Sequence, residues 1–206
     1  MMNSTRFIFE KKDTAIWISH LDLMHTLQRA FTRAGIDIVY SEGFNPHPQM
    51  SIALPLGVGT ESECEVLDIK ITKDCSIDHI NKFLPLGIKV KNIYIPERKA
   101  SEIKWLEIEG TYENSDDKLL LDLFDREEIV ISKKTKRGIS DVDIKPMIKS
   151  ILFNNGKLNA VISAQEPTLN PNNIFDAVKQ LTPENYPDNY RFKRIQIYDS
   201  NMRVFR

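Results

Sequence analysis

The sequence predicts an α+β fold in two units, residues 1–97 and 98–206, and three observations carry that reading. Segments of alternating hydrophobicity are interleaved with two well-capped amphipathic helices in the first hundred residues. Proline and glycine fall at the ends of those segments, where they stop regular structure. A polar junction at 96–101 (Pro-Glu-Arg-Lys-Ala-Ser) precedes a second run of strands and helices. The 206 residues are 41% hydrophobic and 28% charged, enough apolar matter for a core and too much for wholesale disorder. Twenty-eight Lys and Arg against 29 Asp and Glu give a net charge of -1. That excludes a globally basic nucleic-acid coat and leaves room for a local basic patch.

Residues 5–11 read as a strand with Phe7 and Phe9 on one face, followed by a short apolar run at 15–18. Ser19 is placed as a helix N-cap, with Asp22 three residues on, where an acid suits both cap and dipole. The helix is expected over 20–34 and stops at Gly35. Leu23, Met24, Leu27, Ala30, Phe31 and Ala34 form its apolar stripe, opposite His25, Arg29, Thr32 and Arg33. Residues 37–40 are extended, and two prolines and a glycine forbid a regular element over 41–49. Strands follow at 50–54 and 63–72. A second helix, capped by Ser76, runs to about residue 84, and a strand covers 88–95. This β-α-β-β-α-β order is that of the ferredoxin-like unit.

Beyond the junction, 103–111 alternates as a strand, and Ser115 is expected to cap an acidic helix to about residue 124. A strand at 128–132, a basic turn at 133–138 and a short helix at 143–149 around Pro146 come next. Asn154-Asn155-Gly156 marks a type I′ hairpin within 152–164. Asn170 caps a helix that has Pro171 at its first position and runs to about residue 181, and 191–198 closes the chain as a strand. One reading of this second α+β unit is a degraded copy of the first, visible in its pattern of elements and not in its residues.

Three places could carry chemistry. In Gly43-Phe44-Asn45-Pro46-His47-Pro48, proline stiffening holds Asn45 and His47 in fixed directions, which suits contact with a ligand or merely shapes a crossover. At the start of the first helix, His20, Asp22, His25 and Arg29 lie near free backbone N–H groups that attract anions, with a cap and a solvated face as the alternative. Third, Lys133, Lys134, Lys136 and Arg137 form a cationic run that faces either an anion or water. No phosphate loop, dinucleotide fingerprint, nucleophile elbow or HExxH is present, and His20 and His25 point to different helix faces, so neither cofactor nor metal is expected. Cys64 and Cys75 are the only cysteines, too few for a disulfide framework or an iron–sulfur cluster. No apolar run approaches a membrane span or signal-peptide core, so the expected location is the cytoplasm, with no membrane partner.

Longer motifs carry a resemblance. They are Ile18-Ser19-His20-Leu21-Asp22-Leu23-Met24, Arg29-Ala30, Arg33-Ala34-Gly35, Tyr40 through Pro48, Leu54-Pro55-Leu56-Gly57 and Leu67-Asp68-Ile69, with Lys133 through Gly138 and Asp143-Ile144-Lys145-Pro146 later. Together these resemble the bacterial radical-SAM-linked protein family, an uncharacterised domain encoded beside or fused to a cobalamin-type radical-SAM protein. Gln49 departs from the Lys or Arg expected after the second proline. The resemblance implies a radical-SAM protein as partner and assigns no catalytic residue. The chain has no CxxxCxxC, so in any radical chemistry it is the partner and not the catalyst.

The expected function is an RNA-binding accessory protein that presents a structured RNA, ribosomal or transfer, to the modifying enzyme. His20, Arg29, Arg33, Asn45, His47, Lys133, Lys134, Lys136 and Arg137 are its candidate contacts. The alternatives are an RNA-cleaving or RNA-modifying enzyme using His20 or His47 as acid/base, and a protein–protein scaffold that touches no nucleic acid.

Overall fold

Alternation places Phe7 and Phe9 of strand β1 (Ser4–Lys11) on one side of a sheet, and both are fully buried in the structure, a computed structural model describing residues 4–135 and 138–206. The chain divides into two compact units, one ending at Glu102, with the terminal Arg206 counted to it, and one from Ile103 to Phe205.

The first unit continues through helix α1 (His20–Arg33), strands β2 (Met50–Ile52) and β3 (Glu61–Lys70), helix α2 (Ile77–Asn81) and strand β4 (Ile88–Tyr94). Its strands lie in the order β4-β1-β3-β2, every neighbouring pair antiparallel. Helix α1 starts where Ser19 Oγ accepts from Asp22 N at 3.2 Å and donates to Asp22 Oδ2 at 2.7 Å. It ends in a Schellman motif: Gly35 N donates to Thr32 O and Ile36 N to Phe31 O, both at 3.0 Å, with Gly35 at φ +67. Leu23, Leu27, Ala30 and Phe31 are buried, and the Phe31 ring meets Phe7 edge-on at 5.0 Å.

Helix α2 is shorter than the expected 76–84. Pro85 disfavours helical backbone at Leu84. Asn81 instead turns its side chain to β4, donating to Val90 O at 3.0 Å and accepting from Val90 N at 2.8 Å.

The second unit comprises β5 (Trp105–Glu113), α3 (Asp117–Phe124), β6 (Val130–Thr135), β7 (Gly138–Asp143), β8 (Ile148–Asn154), β9 (Lys157–Ser163), α4 (Asn172–Leu181) and β10 (Asn189–Tyr198). Strands β6 and β7 form a separate hairpin, while the others lie in the order β10-β5-β9-β8, again antiparallel. Set that hairpin aside and the unit reads β-α-β-β-α-β. Its strands then follow the sequence fourth, first, third, second, as in the first unit. Leu106, Ile108, Leu158, Ile162, Ile174, Phe175 and Val178 fill its core.

Three expectations need correcting here. The cap of α3 is Asp116, whose Oδ1 accepts from Lys118 N at 2.8 Å and Leu119 N at 3.2 Å, because Ser115 Oγ is committed to Asn185 O. Of the basic turn expected at 133–138, residues 133–135 belong to β6 and Gly138 to β7, while Lys136 and Arg137 lie outside the described residues. In place of a helix over 143–149 there is the end of β7, a 3-10 turn at Lys145–Met147 and the start of β8. The type I′ turn is present, with Asn155 at φ 51 and Gly156 at φ 70. No helix among the described residues is long and apolar enough to cross a membrane.

Candidate functional site

The exposed side of α1 carries residues at helical spacing that the apolar stripe does not use. His25, Gln28, Arg29, Thr32 and Arg33 line an open groove of about 390 Å³ with no acid among them. Arg33 Nη2 donates to Phe83 O at 2.8 Å, which anchors one end of its fork. Arg29 and His25 are exposed and make no hydrogen bond among the described residues. Two guanidinium groups one helical turn apart, in a groove without a carboxylate, form an anion-receiving surface.

The proline-stiffened loop hangs beside this helix by a closed neck. Tyr40 and Pro48 form an isolated bridge, Ser41 N donates to His47 O at 2.8 Å, and His47 N donates to Ser41 Oγ at 2.9 Å. Below the neck, Gln49 N donates to Val39 O and Lys70 N to Gln49 O, so β3 carries the loop. Tyr40 Oη accepts from Gln28 Nε2 at 3.0 Å, tying the neck to the middle of α1. His47 therefore serves the fold with its main chain and leaves its imidazole to solvent, and Asn45 is exposed too. At the tip, Phe44 is completely exposed at 110% of its reference area. A bare aromatic ring on a stiff loop offers a flat face on which a partner ring can stack.

Arg29 and Arg33 are thus brought together, and the neck that carries Asn45 and His47 is joined to their helix. His20 does not line the groove. It is the first residue of α1, half-buried, eight residues and roughly 12 Å along the axis from Gln28. Its Nδ1 is buried without a hydrogen-bond partner among the described residues.

Lys133 lies on β6 and is half-buried. Burial pulls its pKa below the ordinary lysine value, against the opposing carboxylate of Asp176 on α4. Lys136 and Arg137 lie outside the described residues, as does the side chain of Lys134. Sequence reasoning missed Phe44, Gln28, Thr32 and Tyr40 as members of the site. The exposure of Phe44 had a signal, an aromatic between Gly43 and Asn45-Pro46, but the Gln28–Tyr40 bond had none.

Among the described residues no cluster of His, Cys, Asp or Glu is arranged to hold a metal ion. Cys64 is buried, and burial raises the Cys75 thiol above its ordinary value, so neither behaves as a reactive thiolate.

Fold and site together define a mixed α/β protein with repeated β-α-β-β-α-β order and a cationic helix groove beside a stiff loop. The chain belongs to the family described as uncharacterized protein conserved in bacteria (DUF2344), whose sequence model matches residues 5–171. No curated protein matches it. Among solved structures, remote likeness is found to the crystal structure of an unknown protein from Galdieria sulphuraria, at 8% identity over 93% of this chain and 98% of that chain, with a TM-score of 0.28. The acetolactate synthase small subunit from Thermotoga maritima is similar at 11% identity over 97% of this chain and 98% of that chain, with a TM-score of 0.26.

Proposed function

We propose that the chain is an RNA-binding accessory protein, built of two ferredoxin-like units, that works with a radical-SAM enzyme in the modification or maturation of ribosomal or transfer RNA. The observation that carries the RNA reading is the acid-free groove with Arg29 and Arg33, on a helix bonded through Gln28 to the neck of the loop that bears the bare ring of Phe44. Phosphates take the two guanidinium groups, and an unstacked base takes the aromatic face, the pairing by which proteins hold single-stranded RNA. Asn45 and His47 add donors at the loop. Lys133, Lys134, Lys136 and Arg137 add cations on the equivalent connection of the second unit, since both segments join a first helix to a second strand. The radical-SAM partner rests on the resemblance of the motifs from Ile18 to Ile69.

The test is binding of fluorescent single-stranded RNA and of bulk transfer RNA to the full chain, followed against salt. Arg29→Gln with Arg33→Gln should lower the slope of log affinity against log salt by about 1.4, from two lost phosphate contacts. Phe44→Ala should weaken binding by about 1–3 kcal/mol and leave the slope unchanged. The RNA should come back intact, as a binder leaves it. Absence of RNA binding at low salt, or a slope indifferent to both arginines, would overturn the reading.

A further inference from the structure

We propose that the outer edge of β7 receives an extended segment of a partner protein as an additional strand. This does not depend on the RNA reading and concerns a different element.

Strands β6 and β7 pair in unbroken register, from Val130 opposite Asp143 to Thr135 opposite Gly138. Along such a ladder each residue's main chain points alternately towards its neighbour and away from it. Ser132 fixes which residues do which. Its N–H donates to Gln180 Oε1 at 2.8 Å, and its carbonyl accepts from Gln180 Nε2 at 3.2 Å. Both groups are therefore turned outward, so Ser132 and Asp141 exchange no ladder bonds. The N–H and C=O of Asp141 point to the outer edge of β7, as do those of Ile139 and Asp143, two residues to either side.

The two edges of the hairpin are unlike. The primary amide of Gln180, on α4, closes the β6 edge with the pair of bonds a neighbouring strand would make. On β7 the outward groups of Ile139 and Asp141 have no partner among the described residues. The Ile139 side chain is 79% exposed. Natural edge strands are usually guarded by proline, by charged side chains, lysine above all, by a bulge or by a covering loop, and here the charges are Asp141 and Asp143. Gly138–Asp143 has no proline, no lysine and no break in register.

Charge selects the occupant. Ile139, Asp141 and Asp143 share one face of the strand, so an incoming strand sets one residue opposite each. A second copy pairing about a two-fold at Asp141 would place that carboxylate against its own counterpart, which disfavours self-association. The fitting partner is an extended protein segment with an apolar residue opposite Ile139 and lysine or arginine opposite Asp141 and Asp143. Main-chain bonds would supply affinity and the alternate side chains specificity.

The probe is a blocked heptapeptide in which threonine alternates with two lysines and a valine, set to face Asp143, Asp141 and Ile139 in antiparallel register. A control peptide carries glutamate for lysine. Amide exchange is followed by NMR on the full chain. At a peptide concentration about ten times its Kd, exchange at Ile139 and Asp141 should slow about tenfold. The glutamate peptide should leave it unchanged. Asp141→Lys should reverse the preference between the two peptides. Ile139→Pro, which deletes an outward donor and no ladder bond, should abolish the protection. Equal slowing by both peptides, slowing confined to other amides, or protection that grows with protein concentration alone would overturn the proposal, the last by marking a self-paired dimer. Loss of RNA binding in the arginine variants would leave these outcomes untouched, so the two readings fail separately.

Discussion

Asp117, the first residue of α3, accepts from Tyr112 Oη and from Asn155 N, each at 2.5 Å. One carboxylate thus joins β5, the start of a helix and the type I′ turn between β8 and β9. Burial, then the bond to Asp117, raises the Tyr112 hydroxyl far above its ordinary value. The Tyr112 bond, with the backbone N–H groups of Asn155 and Gly156, holds Asp117 below the usual carboxylate range. Asp117→Ala should cost about 1–3 kcal/mol, because it strands a buried hydroxyl. A carboxylate depressed in the folded state stabilises above its unfolded value and loses that contribution as pH falls through its folded value. The gap between wild type and Asp117→Ala in urea midpoints should therefore be constant above about pH 5 and shrink below about pH 4. Local signals such as Ser19, Asp22 and Gly35 could be read from the sequence because cap partners lie within a few residues. The role of Asp117 could not, since Asn155 stands 38 positions away. The same distance effect misplaced the α3 cap at Ser115, whose hydroxyl is drawn to Asn185 O across 70 positions.

At the scale of elements, α1 was the most legible and β7 the least. Leu27 and its stripe repeat at helical spacing over four turns, and the strong contrast between faces admits no other reading. Leu27→Ala should lower stability by about 2–5 kcal/mol in thermal or urea melts, since the site is sealed by Phe7, Phe31 and their neighbours. Strand β7 reads Gly-Ile-Ser-Asp-Val-Asp, and its first four residues are exposed. A strand open to water on its outer edge needs no apolar alternation, so its sequence looks like a turn. Its pairing nonetheless has a usable register: Lys133 and Ser140 face each other as a bonded pair. Replacing residues 134–139 by Asn-Gly, the two-residue turn such a pair accepts, should leave Tm within about 4 °C. It removes Lys134, Lys136 and Arg137, so the salt slope for RNA should drop by about two if those cations touch phosphate.

For the molecule as a whole, the pattern of strands and helices was readable in both halves, while the shared strand order of the halves was not. Strand order depends on which surfaces pair across long stretches of chain, and side chains record it only as alternation. The first unit could be read whole because each of its segments is bounded by a cap, a proline or a glycine. In the second, an extra hairpin interrupts the series after α3 and hides the shared order. Net charge also acts at this scale. With basic and acidic residues almost equal and a pI near 6.4, solubility measured by light scattering should pass through a minimum close to that pH and rise on either side.

The stiff loop of the first unit and the hairpin of the second occupy one and the same connection, between first helix and second strand: 34–49 in one case, 125–147 in the other. Lengthening a closed loop from the shorter span to the longer costs only about 0.3 kcal/mol of chain entropy, because the dependence on length is logarithmic. For a flexible segment, length is therefore a weak constraint on this junction, and a protein engineer can use that. Either copy is a natural port for foreign sequence, at which a new recognition segment could be installed while the strands on both sides keep their pairing.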